Sequence, residues 1–200
     1  MVYSNAQEVE LLLNGVSLGR KKTFSETIEL PVGADVSETG RFYSKYRLLW
    51  SVPFQPGILT AVAFRDGKEV AREIVRTAGA PARIRLLADR RVIAADGDDL
   101  SFIAVRVEDK DGNLCPLADN LVSFQVTGAG SIAAVDNGNA ATVESFQADH
   151  RMAFNGLALL IVRSHAAQPG TIIIVATGQG LAGAQVQVTA REGRRVAPYQ

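Results

Sequence analysis

Apolar and polar residues alternate with a period of two along almost the whole chain, the signature of half-buried β-strands. In "EVELLLNGVSLG" the pattern places Val9, Leu11 and Leu13 on one face. Asn14-Gly15 supplies the positive-φ pair of a tight hairpin, and Val16 and Leu18 are expected to return on the buried side. "YRLLWSV" sets Tyr46, Leu48, Trp50 and Val52 on one face, with Trp50 read as a core residue. "ILTAVAF" and "KEVAREIVRT" flank a second turn at Asp66-Gly67. No window of eleven residues or more carries a 3.6-residue apolar period.

A small Gly- and Pro-containing stretch, "TAGAPA" (Thr77 to Ala82), reads as an interdomain connection. A second series follows. "RIRLLA" buries Ile84 and Leu86. "LSFIAVRVED" points Ile103, Val105 and Val107 inward against Ser101 and Arg106. "LVSFQV" turns Val122, Phe124 and Val126 inward, with Ser123 and Gln125 outward. "SIAAV", "GLALLIVRS", "TIIIVAT" and "AQVQVTA" complete about seven strands at the spacing of an immunoglobulin-like sandwich. The expectation is an all-β chain of two consecutive immunoglobulin-like β-sandwich domains. The first covers 1–79 and the second 83–191, with a linker at 80–82 and a loose polar tail over 192–200.

Composition narrows the functional classes. Of 200 residues, 47% are apolar, enough for a core, and 21% are charged with a formal net charge of zero. Without a basic excess there is little to neutralise phosphates, so nucleic acid is not an expected partner. The longest apolar runs, "LALLIV" and "TIIIVAT", are too short to span a bilayer. The single cysteine, Cys115, rules out an internal disulfide and any Cys-rich zinc site.

The stretch "VEDKDGNLCPLADNLVSFQV" raises the question of chemistry, because Glu108, Asp109, Asp111 and Asp119 crowd into it. A calcium loop of the EF-hand type needs Gly at position 6 and Glu at position 12. Counted from Asp109, Gly112 falls at position 4 and Asn120 at position 12. Asp-Gly-Asn is what a β-turn requires. "ADGDDLSF" (Ala95 to Phe102) reads the same way, and a calcium ion shared between the two loops has no further support in the sequence. A glycosidase needs two carboxylates held roughly 5–10 Å apart in a cleft. Here the aspartates sit in predicted turns, and Glu10, Glu69 and Glu73 sit at solvent-facing strand positions. His150 and His165 lack zinc spacing. No G-x-S-x-G elbow occurs, and Cys115 has only Lys110 as a basic neighbour, which suits a structural thiol. "GQGLAG" (Gly178 to Gly183) opens no helix and is a hairpin loop. No catalytic, cofactor-binding or metal-ligating residue is assigned. The longest irregular segment, Asp136 to Gly156, is the candidate ligand or partner loop. Its candidate residues are Asp136, Asn137, His150, Arg151 and Asn155.

Three stretches carry a resemblance: "VYSNAQEVELLLNGVSLGRK", "LLWSVPFQPGILTAVAFRDGKEVAREIVRTAGAPARIRLLADR" and "ADGDDLSFIAVRVEDKDGNLCPLADNLVSFQVTGAG". With the later "R-x-AFNG", they resemble the region after the catalytic barrel in bacterial family-2 glycoside hydrolases, the β-galactosidase group. The likeness runs to about residue 190. It implies a periplasmic or secreted parent, a retaining hydrolase of terminal β-glycosides in carbohydrate catabolism. The barrel of such a parent carries both catalytic glutamates, one in an Asn-Glu pair. This chain has no Asn-Glu dipeptide. The resemblance therefore implies a non-catalytic accessory region whose partners are the catalytic barrel and the other domains of the same chain. Two other readings remain open. One is a carbohydrate-binding module. The other is an invasin-like structural array, which 83–190 suggests but the unlike residues 1–79 do not continue.

Overall fold

The computed structural model describes residues 1–23, 27–29, 41–43 and 46–192. The tail expected over 192–200 lies, from 193 onward, outside the described residues. The chain divides after Thr77 into two compact units. All the regular structure among the described residues is β.

The first unit runs through β1 (Val2–Tyr3), β2 (Glu8–Leu13), β3 (Val16–Lys22), β4 (Thr27–Glu29), β5 (Arg41–Tyr43), β6 (Arg47–Leu48), β7 (Ile58–Arg65) and β8 (Lys68–Arg76). Its main sheet has the order β3-β2-β7-β8, and β1 pairs with β6. The β2–β3 hairpin closes through Asn14 and Gly15, at φ 51° and 82°, the left-handed pair of a type I′ turn whose twist matches the strands. Asp66 and Gly67 repeat the device between β7 and β8, at φ 51° and 74°. Val9, Ala63, Leu48 and Ala6 form a small core, with Val2, Trp50 and Ala61 packed on it.

Two expectations fail in this unit. Val16 and Leu18 are exposed, at 68% and 36% of their surface. β3 is an edge strand, and its row of Arg and Lys with the bulge it carries at Leu18–Gly19 marks a protected edge rather than a buried one. The strand expected over "YRLLWSV" shrinks to Arg47–Leu48. Leu48 alone of the expected face is fully buried, while Tyr46 is exposed.

The second unit holds β9 (Arg83–Ala88), β10 (Val92–Ala94), β11 (Leu100–Glu108), β12 (Leu121–Gly128), β13 (Gly130–Asp136), β14 (His150–Met152), β15 (Leu157–Ser164), β16 (Gly170–Gly178) and β17 (Leu181–Arg191). One layer is β13-β15-β11-β9 and the other β17-β16-β12-β14, joined by the parallel contact of β17 with β9. β10 runs parallel to β17 at the rim of the second layer. The count exceeds the seven expected because β10 and β14 are three-residue pieces too short to show an alternation.

Inward residues alternate as expected. Ile103, Leu160, Ile172 and Ile174 are completely buried, each stabilising the fold by about 1.5–3 kcal/mol on transfer grounds. Ser101 departs from the expectation. It shares the parity of Ile103 and lies fully buried. Its hydroxyl donates to the Arg90 carbonyl at 2.7 Å, the partner that makes a buried hydroxyl tolerable. Residues 80–82, expected as a linker, are hydrogen-bonded into this unit. Ala82 N–H donates to the Glu108 carbonyl, and the Ala82 carbonyl accepts from Ala182 N–H, each at 2.9 Å.

Candidate functional site

Glu108 ends β11 with its side chain wholly buried beneath three guanidinium groups. Arg106 Nε lies at 3.1 Å, Arg83 Nη2 at 3.2 Å and Arg85 Nη1 at 3.7 Å. Strand pairing sets Arg83 directly opposite Glu108. Asp109 is also buried, at the head of the turn expected there. Its Oδ1 accepts the N–H groups of Asn113 and Asp111 at 2.8 and 2.9 Å. Its Oδ2 accepts Gly79 N–H at 2.8 Å and the Asn113 side-chain amide at 2.9 Å. The Asn113 amide first, then Gly79 N–H, hold its carboxyl well below the usual carboxylate range. Both acids are buried and paired, and the depressed pKa belongs to Asp109. That environment is opposite to the one that raises the pKa of a general acid.

The "ADGDD" loop has the same character. Asp96 Oδ1 accepts the N–H groups of Asp98 and Asp99. Asp99 accepts Ala94 N–H and the Arg90 guanidinium, each at 2.8 Å. Among the described residues no group of three or more His, Cys, Asp or Glu side chains converges as metal ligands do. Cys115 is buried, and burial first, then the charges of Asp109 and Glu108, push its thiol up. A raised thiol pKa suppresses the thiolate a nucleophile needs.

The candidate loop between β13 and β14 is organised around one buried cation. Arg151 is completely buried. Its Nη1 donates to the Glu144 carbonyl at 3.1 Å and its Nη2 to Asp136 Oδ1 at 3.3 Å. Its guanidinium carbon lies 5.1 Å from the centroid of the Phe146 ring, within cation–π range. Glu144 reaches back, its Oε1 accepting Met152 N–H at 3.1 Å. Asp136 also accepts the N–H groups of Asn137 and Gly138, which lower its pKa before Arg151 does. Asn137 donates to the Met152 carbonyl at 2.9 Å. Asp136, Asn137 and Arg151 thus come together, as struts of the loop.

The other two candidates stand apart. His150 is exposed on the edge strand β14, its Nδ1 2.8 Å from Asp149. Asn155, at φ 53°, forms with Gly156 the turn that leads into β15. Glu144 and Phe146 escaped the sequence reading, because a buried arginine in a polar stretch announces neither its burial nor its partners.

Two packed layers of largely antiparallel strands, with Glu108 and Asp109 held by arginines and by amide donors, define a β-sandwich module. The chain belongs to the glycoside hydrolase family 2 C-terminal domain 5 family, whose model matches residues 84–187. A domain family of unknown function matches residues 1–71. A β-galactosidase of Bacteroides ovatus is 40% identical over 190 residues, 95% of this chain and 20% of that protein. A β-galactosidase of Thermoanaerobacter pseudethanolicus is 33% identical over 136 residues, 66% of this chain and 18% of its own length. A solved family-2 glycosyl hydrolase of Bacteroides cellulosilyticus aligns at TM-score 0.79 and 37% identity, over 95% of this chain and 22% of its own. The chain thus spans about a fifth of the length of these relatives.

Proposed function

We propose that the chain is the non-catalytic C-terminal portion of a β-galactosidase-like family-2 glycoside hydrolase acting on terminal β-glycosides. Its two sandwiches, 1–79 and 83–191, support the catalytic barrel of the same polypeptide or shape substrate access to it. The observation that carries this reading is the family match over 84–187 in a chain that aligns with only a fifth of its glycosidase relatives. The engagement of Glu108 and Asp109 by local partners agrees with it, since a retaining hydrolase needs two acids facing a cleft.

Two measurements test the proposal. Sequencing upstream of the coding segment is expected to reveal a (β/α)₈ barrel with its pair of glutamates, and an open reading frame without one would overturn the reading. The 200-residue chain alone is expected to leave an aryl β-galactoside intact, and turnover that survives repurification would overturn it equally.

A further inference from the structure

The two outer faces of the second sandwich differ in charge. The β13-β15-β11-β9 layer turns Arg83, Arg85, Arg106 and Arg163 outward. On the opposite layer, one end of the outer face is the row His150–Ser123–Thr177. Next come Gln125–Val175–Gln185 and Thr127–Ile173–Gln187, and then Thr171 beside Thr189. Across these rows there is no Asp, Glu, Lys or Arg, and Arg191 follows only beyond the last row. In a chain with 21% charged residues, an exposed sheet surface without charge also lacks the usual protection against edge and face association.

The polar groups on this face are unspent. Ser123, Gln125, Thr127, Thr177, Gln185 and Gln187 are exposed, and none of their side chains bonds to another protein group. Elsewhere in this unit Asp96, Asp99, Asp109, Asn113, Asp136 and Asn137 use their side chains in turns and pairs. The row of Ser123 and Thr177 opens into a concavity of about 460 Å³ lined also by Asn120, Leu121, Gly178 and Gln179.

We propose that this face and its concavity bind a neutral polysaccharide strand. Carboxamides and hydroxyls both donate and accept, which matches a polyhydroxylated ligand. Val175, Ile173 and Leu121 offer apolar contact to its C–H faces. The lack of cations disfavours phosphate and uronate polymers. Protein interfaces draw on aromatic residues, Met and Arg, and the rows from Ser123 to Thr189 hold no Phe, Tyr, Trp, Met or Arg. Without an aromatic platform the dissociation constant is expected at about a millimolar. The inference is independent of whether the parent hydrolyses β-glycosides, because it concerns binding alone.

Affinity electrophoresis of the whole chain tests it, in gels cast with soluble galactan, xyloglucan or mixed-linkage glucan, and with polygalacturonate as the anionic control. Each variant is compared with itself in a glycan-free gel. Retardation is expected with at least one neutral glycan and is expected to be lost when Gln125→Glu and Thr177→Glu are combined. Both positions are exposed, so the variant should keep the parent's melting temperature and circular dichroism. Absence of retardation with every neutral glycan would overturn the proposal. So would retardation by polygalacturonate alone, retention of binding in the double variant, or concentration-dependent dimerisation that the double variant abolishes.

Discussion

Asp109 Oδ2 accepts the backbone N–H of Gly79 at 2.8 Å, across thirty residues of sequence. The same carboxylate closes the Asp111–Asn113 turn, so one side chain fixes both the entry into the second sandwich and the end of β11. Because its folded pKa is depressed, Asp109 contributes stability that is present above the unfolded carboxylate value of about 3.9 and is lost as pH falls towards the folded value. Asp109→Asn is expected to lower the melting temperature at pH 7 by several degrees. It should also flatten the loss of stability below about pH 4. Thermal melts of both proteins from neutral to strongly acid pH decide it, and parallel curves would refute the role.

Arg151→Met leaves the carboxylates of Asp136 and Glu144 without their cation, while Asp136 keeps its backbone donors. Removing one partner of a buried pair costs about 3–5 kcal/mol. The partial exposure of both acids, 43% and 25% of their side chains, places the expected loss near the lower end, about 3 kcal/mol. Urea unfolding would measure it. Limited proteolysis should cut more rapidly within 137–149, since Arg151 ties that loop to β13 and β14. A loss below about 1 kcal/mol would mean that the pair is no more than a surface contact.

These two sites mark where the sequence stopped being informative. Local signals were legible: Asn14-Gly15 and Asp66-Gly67 announced their hairpins, and Ile103, Val105 and Val107 announced the inward face of β11. Those features depend on residues one to four positions apart. The burial of Glu108 and Asp109 depends on Gly79 and on arginines delivered by β9, and appears only once β9 and β11 are paired. Ser101 is polar yet inward: its parity with Ile103, not its polarity, sets its face. Val16 and Leu18 are apolar yet exposed, because edge position in a sheet is a property of strand order and not of local alternation. In the candidate loop, the grouping of Asp136 with Arg151 was legible as proximity in a polar segment, but the burial that makes them struts was not.

The turn carboxylates are expected to need no metal. Asp96, Asp99 and Asp109 each accept two or more N–H groups, and an oxygen already bonded to donors is a poor calcium ligand. Excess EDTA should leave the melting temperature unchanged to within about a degree, against the 4–8 °C that a 1 kcal/mol loss brings in a small domain. A larger fall, reversed by calcium, would restore the shared-ion reading of the two loops.

Gly156→Ala and Gly180→Ala separate two costs of a left-handed glycine. Both residues have positive φ, 76° and 73°. A methyl group at Gly180 meets open space, while at Gly156 it runs into the carbonyl of Cys115. The first substitution should cost about 1 kcal/mol, the conformational penalty alone. The second should cost well over that, because the backbone of the Cys115 turn must move. Equal losses in chemical denaturation would show that the contact with Cys115 is slack.

Trp50 packs, partly buried, against the cluster of Ala6, Val9, Leu48 and Ala63, while its Nε1 is buried without a partner. An indole N–H sealed from water without an acceptor is destabilising by about 1–3 kcal/mol, which sets against the area the ring covers. Trp50→Phe keeps a ring in place and removes the orphaned donor, so it should change stability by less than about 1 kcal/mol. Trp50→Ala should cost about 3 kcal/mol or more. As the single tryptophan, Trp50 also reports its own environment: its emission should be blue-shifted in the native state and indifferent to added galactose. A red-shifted native spectrum would mean that the indole is solvated rather than packed on the cluster, and a Phe variant as damaged as the Ala variant would mean that its N–H has an acceptor in solution.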